Sequence, residues 1–215
     1  MWLKDLDMVN TRGIVYVIYR YRFKRAEKNY RHNLAMFSGY KKDRINGQGT
    51  DPMCKMLYGT MPLSWNGCEL ISVCNAMNML GRNVALPQVI LEFELNRMHY
   101  VFPSGYWGTA PKKLGGYFDS HGVAYEKHRS ADDFAQAWDS FTCGIVSFWN
   151  NKRSESALHG LDFFSGGIHT VAFKVTDRGV LVYDYSNHDL RPRMFESPAQ
   201  LWEERRFIVG YGFKK

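Results

Sequence analysis

The feature that most constrains the fold is a change of period halfway along the chain. Helical spacing dominates the first half. Val15, Ile18, Tyr19 and Phe23, then Leu34 and Phe37, supply an apolar stripe over residues 15–38. Leu70, Ile71, Cys74 and Met77 repeat the spacing from Cys68 to Leu80, where Gly81 is a natural C-terminal cap. Further helices are predicted over Pro87–Asn96 and from Thr109 to His121-Gly122, with Pro111 in the first turn. After Gly122 the pattern becomes strand-like: Val123–Lys127, Cys143–Trp149, Thr170–Val175, Val180–Tyr185 and Arg206–Phe213. Two short helices interrupt it, one opened by a capping box at Ser130 and one after Ser197-Pro198. A loop is expected over residues 150–167. Segregated helices and strands argue α+β, with a helical lobe, a sheet lobe and a cleft between them.

A chain of 215 residues with 45% apolar content can bury a sizeable core. The charge is uneven. The whole net +7 lies in residues 1–44, which hold 11 Lys/Arg against 4 Asp/Glu. The polar, glycine-rich run over residues 41–52 reads as a linker or surface loop. The expected organisation is therefore a basic helical extension over 1–50 and a domain over 51–215. The basic segment reads first as a solvated helix face and second as a contact for an anionic surface. No nucleic-acid motif is present, so nucleic acid is not an expected partner. The run Ile14–Tyr19 is far shorter than the ~20 residues a membrane span needs. Asp5 and Asp7 precede it and no small-residue cleavage site follows, so the expected location is cytoplasmic. Cys54, Cys68, Cys74 and Cys143 form no Cys-x-x-Cys pair, and neither a metal site nor a cofactor is expected.

The chemistry concentrates at two boundaries. Trp65-Asn66-Gly67-Cys68-Glu69 takes a loop into a helix, and Gly167-Ile168-His169-Thr170 takes a loop into a strand. A helix N-terminus carries about half a positive charge and exposes unpaired amides. Both favour a thiolate and an oxyanion beside it. With Asn66 as cap, Gly67 leaves room for a carbonyl to approach. An imidazole at a strand start would complete a nucleophile and base. Taken alone, each residue also has an ordinary explanation: Cys68 as a small buried side chain, His169 as a loop-end hydrogen-bond donor. Glu69 either shapes substrate choice or steadies the helix start. His159, in the preceding loop, lacks a strand to fix it.

Asp184 and Asn187 are both candidates to orient the imidazole. A two-residue turn at Asp177-Arg178 would pair Thr176 with Gly179 and put Asp184 on the His169 face. A three-residue turn ending in a left-handed Gly179 would bring Asn187 to that face instead, and because such turns commonly end in glycine the turn itself favours Asn187.

The run Asn66-Gly67-Cys68-Glu69-Leu70-Ile71-Ser72-Val73, with Asn75 to Gly81 after it, resembles the nucleophile helix of papain-like bacterial cysteine peptidases. The branch it is most similar to is that of the double-glycine leader peptidases. His169-Thr170-Val171 resembles that family's strand start, and Val180 to Asp184 its strand ending in the third triad member. The resemblance spans roughly residues 58–190 and keeps the order Cys, His, Asp. It implies a papain-like fold and a triad of Cys68, His169 and Asp184. The family's oxyanion glutamine is not evident in Gly59–Trp65, so Ser64 or Asn66 is the expected substitute, or the backbone amides serve alone.

The expected activity is hydrolysis of a peptide amide bond through a thioester acyl-enzyme. A transferase of the transglutaminase or acyltransferase kind would use the same triad with an amine acceptor. A catalytically weak or inactive binding protein on the same fold is the third expectation. For that one, the aromatic stretch Tyr100–Gly108 would line a groove, although a packed loop is the simpler reading.

Overall fold

The computed structural model describes residues 14–96, 108–152 and 167–214, and within them the protein is a mixed α+β fold with antiparallel sheets. The helical half runs α1 (Ile14–Phe37), a two-residue ribbon of β1 (Leu57–Tyr58) and β2 (Met61–Pro62), α2 (Leu63–Asn66), α3 (Cys68–Met79), α4 (Leu86–Leu95) and α5 (Leu114–Ser120). The second half runs β3 (Glu126–His128), α6 (Ala131–Ala137), β4 (Cys143–Lys152), β5 (Ile168–Thr176), β6 (Gly179–Tyr183), β7 (Arg193–Phe195) and β8 (Arg205–Phe213). None of the helices among the described residues is long and apolar enough to cross a membrane. His99, His159 and residues 100–107 of the aromatic stretch lie outside the described residues.

Local chemistry sets the boundaries. α3 stops because Gly81 takes φ +77, letting the Arg82 amide donate back to Met77 O at 3.0 Å. α6 starts where the Ser130 hydroxyl accepts from the Asp133 amide. The strands of the second half form one antiparallel sheet ordered β3-β8-β4-β5-β6-β7. Alternation splits its side chains between two cores. Cys143, Ile145, Ala172, Val209 and Tyr211 pack with α3 and α4. Val146, Phe148, Val171, Phe173 and Val182 pack on the other face with Phe134, Leu201 and Trp202.

Residues 14–50 do not stand apart as an extension. Asn33 of α1 exchanges two 2.8 Å hydrogen bonds with the Leu57 main chain. Asn29 donates to Gly59 O and to the Glu94 carboxylate, and the buried Arg22 donates to Glu94 O. Part of the basic excess is thus internal, while Arg31 stays exposed beside Glu27. The run over residues 41–52 is likewise a pinned loop, not a linker. Ile45 is buried in the first core, and Asn75 of α3 clamps its amide and carbonyl at 2.8 and 2.9 Å. Polar composition marked this segment as exposed, but its amides find buried partners on α3 and at the end of β6.

Candidate functional site

Cys68 is the first residue of α3. Gly67, not Asn66, precedes it as the cap, and Asn66 ends α2 instead. The two helices meet so closely that a Cβ on Gly67 would stand 2.6 Å from Leu63 O. Glycine is therefore required for α2 to deliver the chain onto α3. The first bond of the new helix is Ile71 N–H to Gly67 O at 3.0 Å, so the amides before it have no intrahelical acceptor. Cys68 Sγ, only 7% exposed, faces the start of β5. It lies 3.8 Å from Ile168 O, and the Thr170 amide also favours its charged form. Those two residues flank His169.

The imidazole itself is presented differently. Thr170 pairs with Ser147 under α3, whereas His169 pairs with Phe148 and shares that residue's sheet face. Its ring meets the Phe148 ring edge-on, centroids 5.8 Å apart. Sγ and the imidazole form no hydrogen bond. His169 Nε2 donates to Asp184 O at 3.0 Å and to Tyr185 O at 3.1 Å. Two carbonyl acceptors assign the proton to Nε2 and leave Nδ1 with a free lone pair. Burial holds the imidazole neutral, its pKa pushed down to about 4.

Main-chain carbonyls thus orient His169, and the Asp184 carboxylate does not. The turn is the two-residue kind, with Thr176 opposite Gly179, which by parity would aim Asp184 at the His169 face. The strand ends at Tyr183, however, and Asp184 takes φ +59. That reversal turns its side chain into the loop containing Gln48. Oδ1 accepts from the Gln48 amide at 2.8 Å, and the Asp184 amide donates to Asn46 Oδ1. The carboxyl is 1% exposed, and burial raises its pKa to about 8. Asn187 is exposed beyond this turn, its carbonyl bonded to the Gly49 amide at 2.7 Å.

The carboxylate that does reach the sulfur is Glu69. Its Oε2 accepts from Cys68 Sγ at 3.3 Å, and its Oε1 accepts from Thr170 Oγ1 at 3.3 Å. The Ser147 hydroxyl lies 2.8 Å from Thr170 Oγ1 and extends the chain across the sheet. Burial pushes Glu69 up to about 7. The same burial, with the Glu69 charge next, pushes the Cys68 thiol well above its ordinary value. The resting pair is therefore a neutral thiol and a neutral imidazole.

Of the expected oxyanion substitutes, Ser64 is half-buried in α2, and Asn66 Nδ2 donates to Tyr58 O at 3.2 Å. Gln48 escaped the sequence reading because it lies far upstream in the supposed linker. Its side-chain amide is buried and donates to Leu63 O at 2.6 Å, just ahead of the nucleophile helix. The one signal for it was a lone glutamine between two glycines. Among the described residues, no group of three or more His, Cys, Asp or Glu side chains is placed to hold a metal ion. No protein-family model matches the chain, and no curated protein or solved structure gives a significant match.

Proposed function

We propose that the protein is a cysteine hydrolase of papain-like architecture that cleaves amide bonds in peptides. The observation that carries this reading is the seat of Cys68 Sγ, at a helix start against the main chain of the two residues that flank His169. Cys68 Sγ would attack the carbonyl carbon, forming the C–S bond as its proton passes to His169 Nδ1. The tetrahedral oxyanion would face the first amides of α3, with the Gln48 side-chain amide, held at Leu63 O, a candidate to assist. Collapse breaks the C–N bond, the imidazolium protonates the departing amine, and a thioester remains. Water, deprotonated by His169, then releases the acid and restores the thiol. Asp184 contributes its carbonyl to the imidazole, in place of the carboxylate the triad reading expected. Sγ and the imidazole share no hydrogen bond in the free protein, so the first proton transfer requires the His169 ring to turn from the Phe148 face toward Sγ when substrate binds.

A second reading has its own support. The missing Cys68–His169 hydrogen bond and the inward turn of Asp184 fit a papain-like binding protein without hydrolytic activity. Incubating the wild type, Cys68→Ser and His169→Ala with a mixed peptide library decides between them. The hydrolase reading expects new peptide termini from the wild type alone. Conversion by all three proteins, or by none, overturns it. An added primary amine appearing in the products would instead assign the acyl group to transfer.

A further inference from the structure

The group in contact with the Cys68 proton is a buried carboxylate, not the imidazole. Glu69 is 3% exposed and forms no ion pair among the described residues. Its two oxygens receive the Cys68 thiol and the Thr170 hydroxyl, and Thr170 is in turn bonded to Ser147. With the Cys68 thiol and the Thr170 hydroxyl both donating to it, the carboxylate form is partly compensated for its burial, which still raises its pKa to about 7. A fixed negative charge next to a buried sulfur opposes a second negative charge there. A simple helix-start acid would lie in solvent near the dipole, whereas this one lies against the nucleophile itself.

We propose that Glu69 restrains the nucleophile: its buried carboxylate holds the Cys68 thiol proton and keeps the sulfur unreactive until the carboxylate is itself protonated. The inference rests on the reading of Cys68 as a nucleophile. The other titratable groups around the pair are few. Tyr58 of β1 feels the Glu69 charge, and its hydroxyl is engaged 2.8 Å from Thr109 Oγ1. Asp184, at the end of β6, adds a weaker negative influence on the sulfur. His169 of β5 is neutral until well below neutrality. None of these supplies a positive charge to offset Glu69 at neutral pH.

The test follows alkylation by iodoacetamide, in which the thiolate displaces iodide and forms a thioether. Rates are read cysteine by cysteine from peptide masses, across the acid to alkaline range. In the wild type, the logarithm of the Cys68 rate should climb with pH, flatten into a shoulder near pH 7 where Glu69 ionises, and then climb again. Glu69→Gln should remove the shoulder and speed Cys68 alkylation at neutral pH by about tenfold or more, one pKa unit of relief. Cys74 and Cys143, both buried, should be unchanged and so report that the variant is folded. A wild-type profile with a single smooth titration overturns the proposal even if Glu69→Gln fails to fold. So does a folded Glu69→Gln whose Cys68 reacts at the wild-type rate or slower. If instead Cys68 reacts no faster than Cys74 and Cys143 in either protein at any pH, both this inference and the hydrolase reading fall. Only the first two outcomes leave the hydrolase reading intact.

Discussion

Replacing Asp184 by Asn should stabilise the protein progressively as pH rises. The carboxyl is 1% exposed, its Oδ1 takes the Gln48 amide, and its Oδ2 makes no hydrogen bond among the described residues. Burial raises its pKa from 3.8 to about 8. The sign follows from proton linkage. The folded state keeps this proton longer than the unfolded chain does, so the wild type is favoured below pH 3.8 and loses stability as pH climbs toward 8. At about 1.4 kcal/mol per pKa unit the ceiling is roughly 6 kcal/mol, and local relaxation should leave about 2–4 kcal/mol. Asn keeps the acceptor for the Gln48 amide but buries an extra donor, a pH-independent cost of about 1–3 kcal/mol. The assay is therefore the slope: urea unfolding of both proteins at matched pH values, with the difference plotted. Glu69 and His169 titrate in both and cancel. The difference should swing toward Asp184→Asn by a few kcal/mol between acid and mildly alkaline pH. A flat difference would refute the buried, unpaired carboxyl. A swing the other way would mean that Asp184 is stabilised as an anion by a charged imidazole, the arrangement of an orienting triad acid.

Three further outcomes follow from the packing around the nucleophile helix. Gly67→Ala should cost about 2 kcal/mol or more in urea unfolding, because the new methyl meets the Leu63 carbonyl and side chain. Asn75→Ala should cost about 3 kcal/mol, since the fully buried amide satisfies both main-chain groups of Ile45 and leaves them unpaired when lost. NMR titration of the ring should find His169 neutral throughout the neutral range and protonating only near pH 4, so its contribution to stability is lost as pH falls from 6.5 toward 4. A ring that titrates near 6.5 would contradict its burial.

What the sequence made legible was the local chemistry. Gly81 and Ser130 end and start helices where their conformational and capping preferences say they should. The strand periods of 143–149 and 206–213 are those of two neighbouring strands, β4 and β8. The misjudged elements all depend on partners remote in the chain. Asn29, Asn33 and Arg22 read as a solvated basic helix because nothing nearby announces Glu94 or the Leu57 main chain. Gln48 and Asn46 read as linker because their partner, Asp184, is 136 or more residues away. β1 and β2, two residues each, are too short to carry a period. At the site, the Asp177-Arg178 turn set the parity, but the positive φ of Asp184 undid it at the one residue that mattered. Which face of β5 α3 would cover was likewise beyond local pattern, and with it the difference between facing His169 and facing Thr170.

The most direct test of Cys68 and His169 as a reacting pair is labelling by a peptidyl vinyl sulfone below pH 7, where Glu69 carries its proton, with the adduct located by mass spectrometry. The sulfur adds to the vinyl carbon and the carbon beside the sulfone takes up a proton, a transfer that His169 would serve. Cys68 should be modified ahead of Cys54, Cys74 and Cys143, and His169→Ala should slow that modification by about 100-fold or more. Equal labelling of the cysteines, or a folded His169→Ala protein labelled at the wild-type rate, would contradict the account.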